Sequence, residues 1–189
     1  MKKLLILMAI MFSLTALAAA EPGGIPEEAR TVYLTGLMYC QGSSAERDME
    51  KAIEAFSQAA AMGYGRAWKQ LGDIYYYGQG GISVDYAKAA SCYSRGAESG
   101  DYSSMHLYAD CLYNGTGVDR DPEKAIALYQ RLVESRPDDK AEYAWGAYML
   151  GKVYSEGIHV RRDKQLSRLY SMLAASLGSE EAMILLQGQ

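Results

Sequence analysis

The chain is poor in the residues on which most enzyme chemistry rests, with two histidines and three cysteines among 189 residues. His106 and His159 stand far apart, and neither belongs to a His-Glu-x-x-His pair, so the zinc-hydrolase pattern is absent. No Cys-x-x-Cys, Gly-x-Ser-x-Gly, Ser-x-x-Lys, Ser-Asp-Asn or Lys-Thr-Gly occurs, which removes the common redox pair and the common serine nucleophiles. The glycine-rich stretches Gly78-Gln79-Gly80-Gly81 and Gly115-Thr116-Gly117 follow no strand and precede no Gly-Lys-Ser or Gly-Lys-Thr. They read as helix stops and turns rather than phosphate cradles. Basic stripes are missing as well: the one local cluster, Arg161-Arg162-Asp163-Lys164, sits at a helix entrance and reads as a solvated face. With a net charge of -4 this argues against a nucleic-acid partner.

One long apolar run is present, from Leu4 to Leu17 behind Lys2-Lys3, and Ala18-Ala19-Ala20 leads from it into Glu21-Pro22-Gly23-Gly24. This is the grammar of a secretory signal peptide over residues 1–20, too short for a membrane span. A mature chain over 21–189 is then expected, free in a periplasm or outside the cell and without a transmembrane anchor. No cysteine stands at the cleavage point to carry a lipid. Loss of Lys2 and Lys3 takes the net charge from -4 to -6.

The rest of the chain repeats one pattern. In Ala67-Trp68-Lys69-Gln70-Leu71-Gly72-Asp73-Ile74-Tyr75-Tyr76-Tyr77-Gly78, small or apolar residues fall at offsets zero, four, seven and eight, and a glycine closes the run. That is one face of a helix with 3.6 residues per turn. The closing glycines Gly42, Gly78, Gly115 and Gly157 are 36, 37 and 42 residues apart, a period that reads as a solenoid of stacked helix pairs. Each pair's second half begins on an aspartate: Asp48-x-x-Lys51-Ala52, Asp85-x-x-Lys88-Ala89, Asp121-Pro122-Glu123-Lys124-Ala125 and, without the Lys-Ala, Asp163. These aspartates are expected to cap helices, and Pro122 suits the first helical position. Gly72 and Gly151, with Ala109, need a packing reason inside helices.

These residues resemble the Sel-one-like repeat, a relative of the tetratricopeptide repeat, over nearly all of the mature chain. The resemblance implies an all-α, right-handed superhelical solenoid of about four helix-turn-helix repeats, near 27–64, 65–101, 102–138 and 141–178, with a capping helix over 179–189. First helices (A) are expected near 27–41, 65–77, 102–114 and 141–156, and second helices (B) near 48–62, 85–99, 121–135 and 163–177. Thr31 and Thr35 depart from the pattern in the first copy, as Leu166-Ser167 do in the fourth. Outer copies of a solenoid are where such departures belong. Residues 135–142 lengthen the third joint, as a longer loop or an extended A helix.

In related solenoids, offsets two, six and nine of the A helices face the concave groove. Here the corresponding residues include Tyr33, Lys69, Asp73, Tyr76, His106, Asp110, Tyr113, Tyr148 and Lys152, together the expected face for a protein or peptide partner. Tyr76, Asp110 and Tyr113 are expected to line one groove, with Asp73 and Asp110 contributing little to the core. Tyr76 and Tyr113 serve either that surface or the packing between repeats. Tyr39, Tyr75, Tyr93, Tyr129 and Tyr154, with both tryptophans, read as packing. The function expected is a noncatalytic binding module with no cofactor and no metal. Family analogy also offers a cell-envelope enzyme acting on β-lactams or peptidoglycan, and a stabilising role in a larger envelope complex is a third reading.

Cys92 and Cys111 lie about equally far from the turn near Gly100, so they stand at one height in an antiparallel helix pair and are expected to form a disulfide. Such a bridge would contribute ~3 kcal/mol on the chain-entropy model. The alternative is two reduced, buried thiols, and Cys40 is expected to stay free or to pair between chains.

Overall fold

In the computed structural model, residues 26–41, 47–136 and 138–188 are described. The expected leader, residues 21–25 and the Gly42 stop lie outside these. The described residues form nine α-helices and no strand. They are α1 (Glu27–Gln41), α2 (Met49–Ala61), α3 (Gly65–Tyr77), α4 (Tyr86–Glu98), α5 (Tyr102–Asn114), α6 (Pro122–Ser135), α7 (Lys140–Glu156), α8 (Lys164–Ser176) and α9 (Glu180–Gln187). Each lies within two residues of the helix expected from the repeat.

The B helices start where the aspartates say they should. Asp48, Asp85 and Asp121 each accept the backbone N–H of the lysine three residues on, at 3.0, 2.9 and 3.0 Å, and Asp163 accepts from Gln165 and Leu166. Each cap contributes ~1 kcal/mol. The same four residues use their own N–H to join the helices of a pair, donating to the carbonyls of Tyr39, Tyr75, Leu112 and Tyr154 at 2.8–3.1 Å. An aspartate at this position therefore ends one connection and begins one helix. Gly78, Gly115 and Gly157 end the A helices in the left-handed conformation, each N–H donating to the carbonyl four residues back.

Close approach explains the glycines inside the A helices. A β-carbon on Gly72 would collide with the ring of Tyr93, and one on Gly36 would sit 2.7 Å from the ring of Phe56. Each helix packs on the next in the chain, and in addition α3 touches α5, α5 touches α7, and α7 touches α9. The A row is thus the tighter, inner one. Core residues gather around Phe56, Leu71 and Ile74 in the first half and around Tyr129, Leu132 and Leu150 in the second. Thr31 and Thr35 face solvent and donate to carbonyls one turn back at 3.0 Å, so the first copy's departures lie on the open end of the stack.

Residues 135–142 lengthen a helix as well as a joint. Arg136 takes a left-handed φ of 45°, Asp139 caps α7, and α7 runs 17 residues where α3 and α5 have 13. Its extra turn carries Glu142.

The expected Cys92–Cys111 bridge is not formed, and all three cysteines are free thiols. Equal height fixes position along a helix and leaves its azimuth open. Cys92 packs into the first-half core with Met49, Ala60 and Ile74, whereas Cys111 packs against Ala89, Ala90 and Tyr93. Burial pushes both thiols up to about 11, so they behave as small hydrophobes. Cys40 is half-buried, and burial raises its pKa too.

Candidate functional site

Helical spacing puts offsets two, six and nine on one side of each A helix, and every one of the nine expected face residues is partly exposed, none fully buried. On α3, Lys69 donates to Asp73 at 2.7 Å. Asp73 also accepts the hydroxyl of Tyr93, on α4, at 2.9 Å. Burial opposes the charge on Lys69, and Asp73 outweighs it, so the amine is held above its ordinary value. Tyr33 accepts from the amide of Gln70 at 3.4 Å and packs its ring against Phe56 and Tyr64, tying α1 to α3.

Asp110 on α5 organises the densest part of the face. Its Oδ1 accepts the Tyr129 hydroxyl at 2.6 Å and the Trp145 indole N–H at 3.1 Å, and its Oδ2 faces His106 Nε2 at 3.3 Å. The other ring nitrogen of His106 meets Glu142 at 2.6 Å. Burial works against the imidazolium, but the two carboxylates outweigh it and lift His106 to about 9. The imidazole is therefore a cation at neutral pH with both nitrogens occupied. Trp145 lies between His106 and Tyr148, with ring centroids 5.1 and 5.5 Å away.

Tyr113 belongs to a neighbouring group. Its hydroxyl donates to Glu156 at 3.3 Å, its ring meets His159 edge-on at 6.0 Å, and Arg120 reaches from its backbone carbonyl to His159 Nε2. Lys152 faces Glu156 at 4.0 Å. Tyr76 and Asp110 share a cleft of about 210 Å³ between α3 and α5, walled also by Tyr77, Tyr93, Leu107 and Asn114. All three residues expected to line the groove are partly exposed, and Tyr76 and Asp110 line this cleft together.

Asp73 and Asp110 depart from the sequence-based expectation. Besides facing the surface, each satisfies a tyrosine hydroxyl whose ring is fully buried. Without that acceptor a buried donor would go unpaired, at a cost of about 1–3 kcal/mol.

The Sel1 repeat family model matches residues 30–64, 69–101, 103–135 and 146–179. The chain belongs to the Sel1 repeat family. Sel1 repeats mediate protein interactions. A solved Sel1 repeat protein from Oxalobacter formigenes superposes with a TM-score of 0.71 at 27% identity, over 85% of this chain and 62% of its own. A protective antigen present in uropathogenic Escherichia coli strains gives 0.74 at 28% identity, over 85% of this chain and 33% of its own. Chitin synthase regulatory factor 3 of Schizosaccharomyces pombe is 29% identical over 171 residues, 87% of this chain but 17% of that protein. The chain thus spans under two thirds of the length of each of these relatives.

Glu142 joins the face without a repeat offset to place it there, and Trp145 adds a face contact to its expected packing. Glu142 lies within the expected 141–156 helix, one turn before the fourth repeat's first position and ahead of the 146–179 stretch that the family model matches. Its only signal is the 42-residue spacing between Gly115 and Gly157. Trp145 packs on the core, as expected, while its N–H points to Asp110. Trp68 does pack, half-buried beside Ala67 and Leu71, with the Arg95 guanidinium 4.9 Å from its ring.

Proposed function

We propose that the chain is a noncatalytic protein- or peptide-binding scaffold, exported to a periplasm or the extracellular space, that holds its partner on the A-helix face. The observation carrying this reading is the row of partly exposed aromatic and charged side chains on α3, α5 and α7, of which Lys69, Asp73, His106, Asp110, Glu142 and Trp145 are held by hydrogen bonds before any partner arrives. Aromatic groups with polar tips are the residues that interfaces concentrate. Fixing them in advance reduces the side-chain ordering that binding must otherwise supply. The chemistry of His106 supports a noncatalytic role, since an imidazolium with carboxylates on both nitrogens has no lone pair to act as a base. Export rests on the Lys2-Lys3, Leu4-to-Leu17 and Ala18-Ala19-Ala20 pattern.

Panning a displayed random-peptide library on the purified protein tests the reading. Enriched peptides that share a motif and bind at least about tenfold more weakly to a Trp145→Ala, Tyr148→Ala variant of unchanged helix content are expected, as for loss of aromatic anchors. Binding indifferent to these changes, or turnover of a chromogenic β-lactam, would overturn it.

A further inference from the structure

The cleft between α3 and α5 has a chemistry of its own. Its walls are aromatic: the Tyr76 ring meets Tyr77 and Tyr86 edge-on, at 5.0 and 5.1 Å between centroids, and lies 6.4 Å from Tyr93. Asp110 is its one charged lining residue, and no lysine, arginine or histidine lines it. Two donors reach Oδ1 of Asp110, and one, at 3.3 Å, reaches Oδ2. A carboxylate offers about four lone-pair sites, so a site on Oδ2 stays open. The cleft's 210 Å³ corresponds to about seven waters at ~30 Å³ each. That is room for one long side chain and less than the ~300–1,000 Å³ of a small-molecule pocket.

Aromatic faces attract ammonium and guanidinium groups, more strongly where water is displaced, and an open carboxylate lone pair adds a charge-assisted hydrogen bond. Charge complementarity points the same way, because the chain carries a net -4. We propose that this cleft receives a lysine or arginine side chain of the bound peptide. The inference rests on the peptide-binding reading and sharpens it: the partner is a segment with a basic anchor, laid across the second and third repeats.

Titration of the isotopically labelled protein with acetyl-Gly-Gly-Arg-Gly-Gly-amide, followed by amide chemical shifts, tests the inference against the same peptide carrying neutral citrulline. The arginine peptide should move the amides of Tyr76, Tyr77 and Asn114 and bind at least about threefold more tightly than the citrulline peptide. Tyr77→Ala should weaken it about two- to fivefold. That ring is 64% exposed, so its loss leaves the core intact. Thr116 also lines the cleft, and Thr116→Lys, which sets a competing cation there, should abolish the shifts. Equal binding of the citrulline peptide, or arginine-peptide shifts confined to residues outside the cleft, would overturn the inference. Library peptides that lack a basic residue yet still depend on Trp145 and Tyr148 would overturn it too, while leaving the scaffold reading standing.

Discussion

The two central repeats bury a tyrosine hydroxyl where the two outer ones do not. Eight residues after the capping aspartate, the B helices carry Phe56, Tyr93, Tyr129 and Ser171 in turn. Opposite them, at offset six of the A helices, stand Leu37, Asp73, Asp110 and Lys152. Both tyrosines meet an aspartate, at 2.9 and 2.6 Å, and the phenylalanine packs in the same cluster as leucine. Ring and partner change together because a buried hydroxyl requires an acceptor and a buried phenyl ring does not. The inner face is therefore charged in the middle of the stack for a structural reason, and the charge is then available for binding.

Breaking the central arrangement should be the most costly change. Asp110→Ala removes the acceptor of both the Tyr129 hydroxyl and the Trp145 N–H. Two donors left in poorly hydrated surroundings predict a loss of at least about 3 kcal/mol in urea denaturation. Leu37 has no such partners. The comparison sharpens in a double-mutant cycle: Asp73→Leu alone should cost about 1–3 kcal/mol, and adding Tyr93→Phe, which copies the first repeat's pair, should recover at least about 1 kcal/mol. Additive losses would show that the hydroxyl and carboxylate are not coupled.

The third and fourth repeats should also respond to pH between about 6.5 and 9, a range in which the first two, which contain no histidine, have no such group. His106 faces Asp110, Glu142 and the indole of Trp145. Its pKa is raised in the folded chain, from an ordinary 6.5 to about 9. The stabilisation is therefore complete below the unfolded value and declines as pH rises from about 6.5 through 9. Its size is at most on the order of 3 kcal/mol. Burial disfavours the charge on Glu142, but His106 outweighs it and holds the carboxyl below its ordinary 4.5, so this contribution is lost as pH falls. Stability should peak between about pH 5 and 6.5, and in Glu142→Gln the decline above that range should be shallower. Identical alkaline slopes in the two proteins would exclude the pair as its source.

Gly72 and Ala109 occupy the same offset opposite Tyr93 and Tyr129. The third repeat accommodates a methyl group there, while in the second a β-carbon would overlap the Tyr93 ring. Gly72→Ala should thus gain helix propensity, ~1 kcal/mol, and lose about 1–3 kcal/mol to overpacking. A net loss in urea midpoint is expected, while a net gain would mean that the ring moves freely.

The helices of the described residues and most of their ends are legible in the sequence because aspartate caps, closing glycines and apolar spacing all repeat. The face was legible by offset alone. Two things were not. Cys92 and Cys111 needed an azimuth, which depends on how each helix is rolled against its neighbours, and the sequence conveys only their height. Glu142 lies at the start of the fourth A helix, before the repeat's first position, so no repeat offset assigns it a side of the helix, and its contact with His106 arises from one extra turn of α7. Asp73 and Asp110 show a third limit, because helical spacing reports which way a residue points and is silent on a tyrosine hydroxyl arriving from the next helix.

The smallest expected effect comes from the outer end of the comparison. In the fourth repeat the tyrosine becomes Ser171, whose hydroxyl is fully buried and has no hydrogen-bond partner among the described residues, while Gly151, where a β-carbon would stand 2.6 Å from it, packs closely beside it. Lys152, at the position of the central aspartates, offers donors and no acceptor. One turn earlier on α8, Ser167 is equally buried but donates to the Gly151 carbonyl at 2.8 Å. Removing the two hydroxyls should therefore have opposite signs. Ser167→Ala loses a made hydrogen bond to a carbonyl that keeps its partner within α7, so it should cost about 1 kcal/mol, and Ser171→Ala removes an unpaired polar group and should stabilise by up to about 1 kcal/mol. The pair shares a helix, a burial and a residue type, so propensity and cavity effects largely cancel between them. If both lower the urea midpoint equally, the Ser171 hydroxyl has a partner in solution and the fourth repeat is as well satisfied as the second and third.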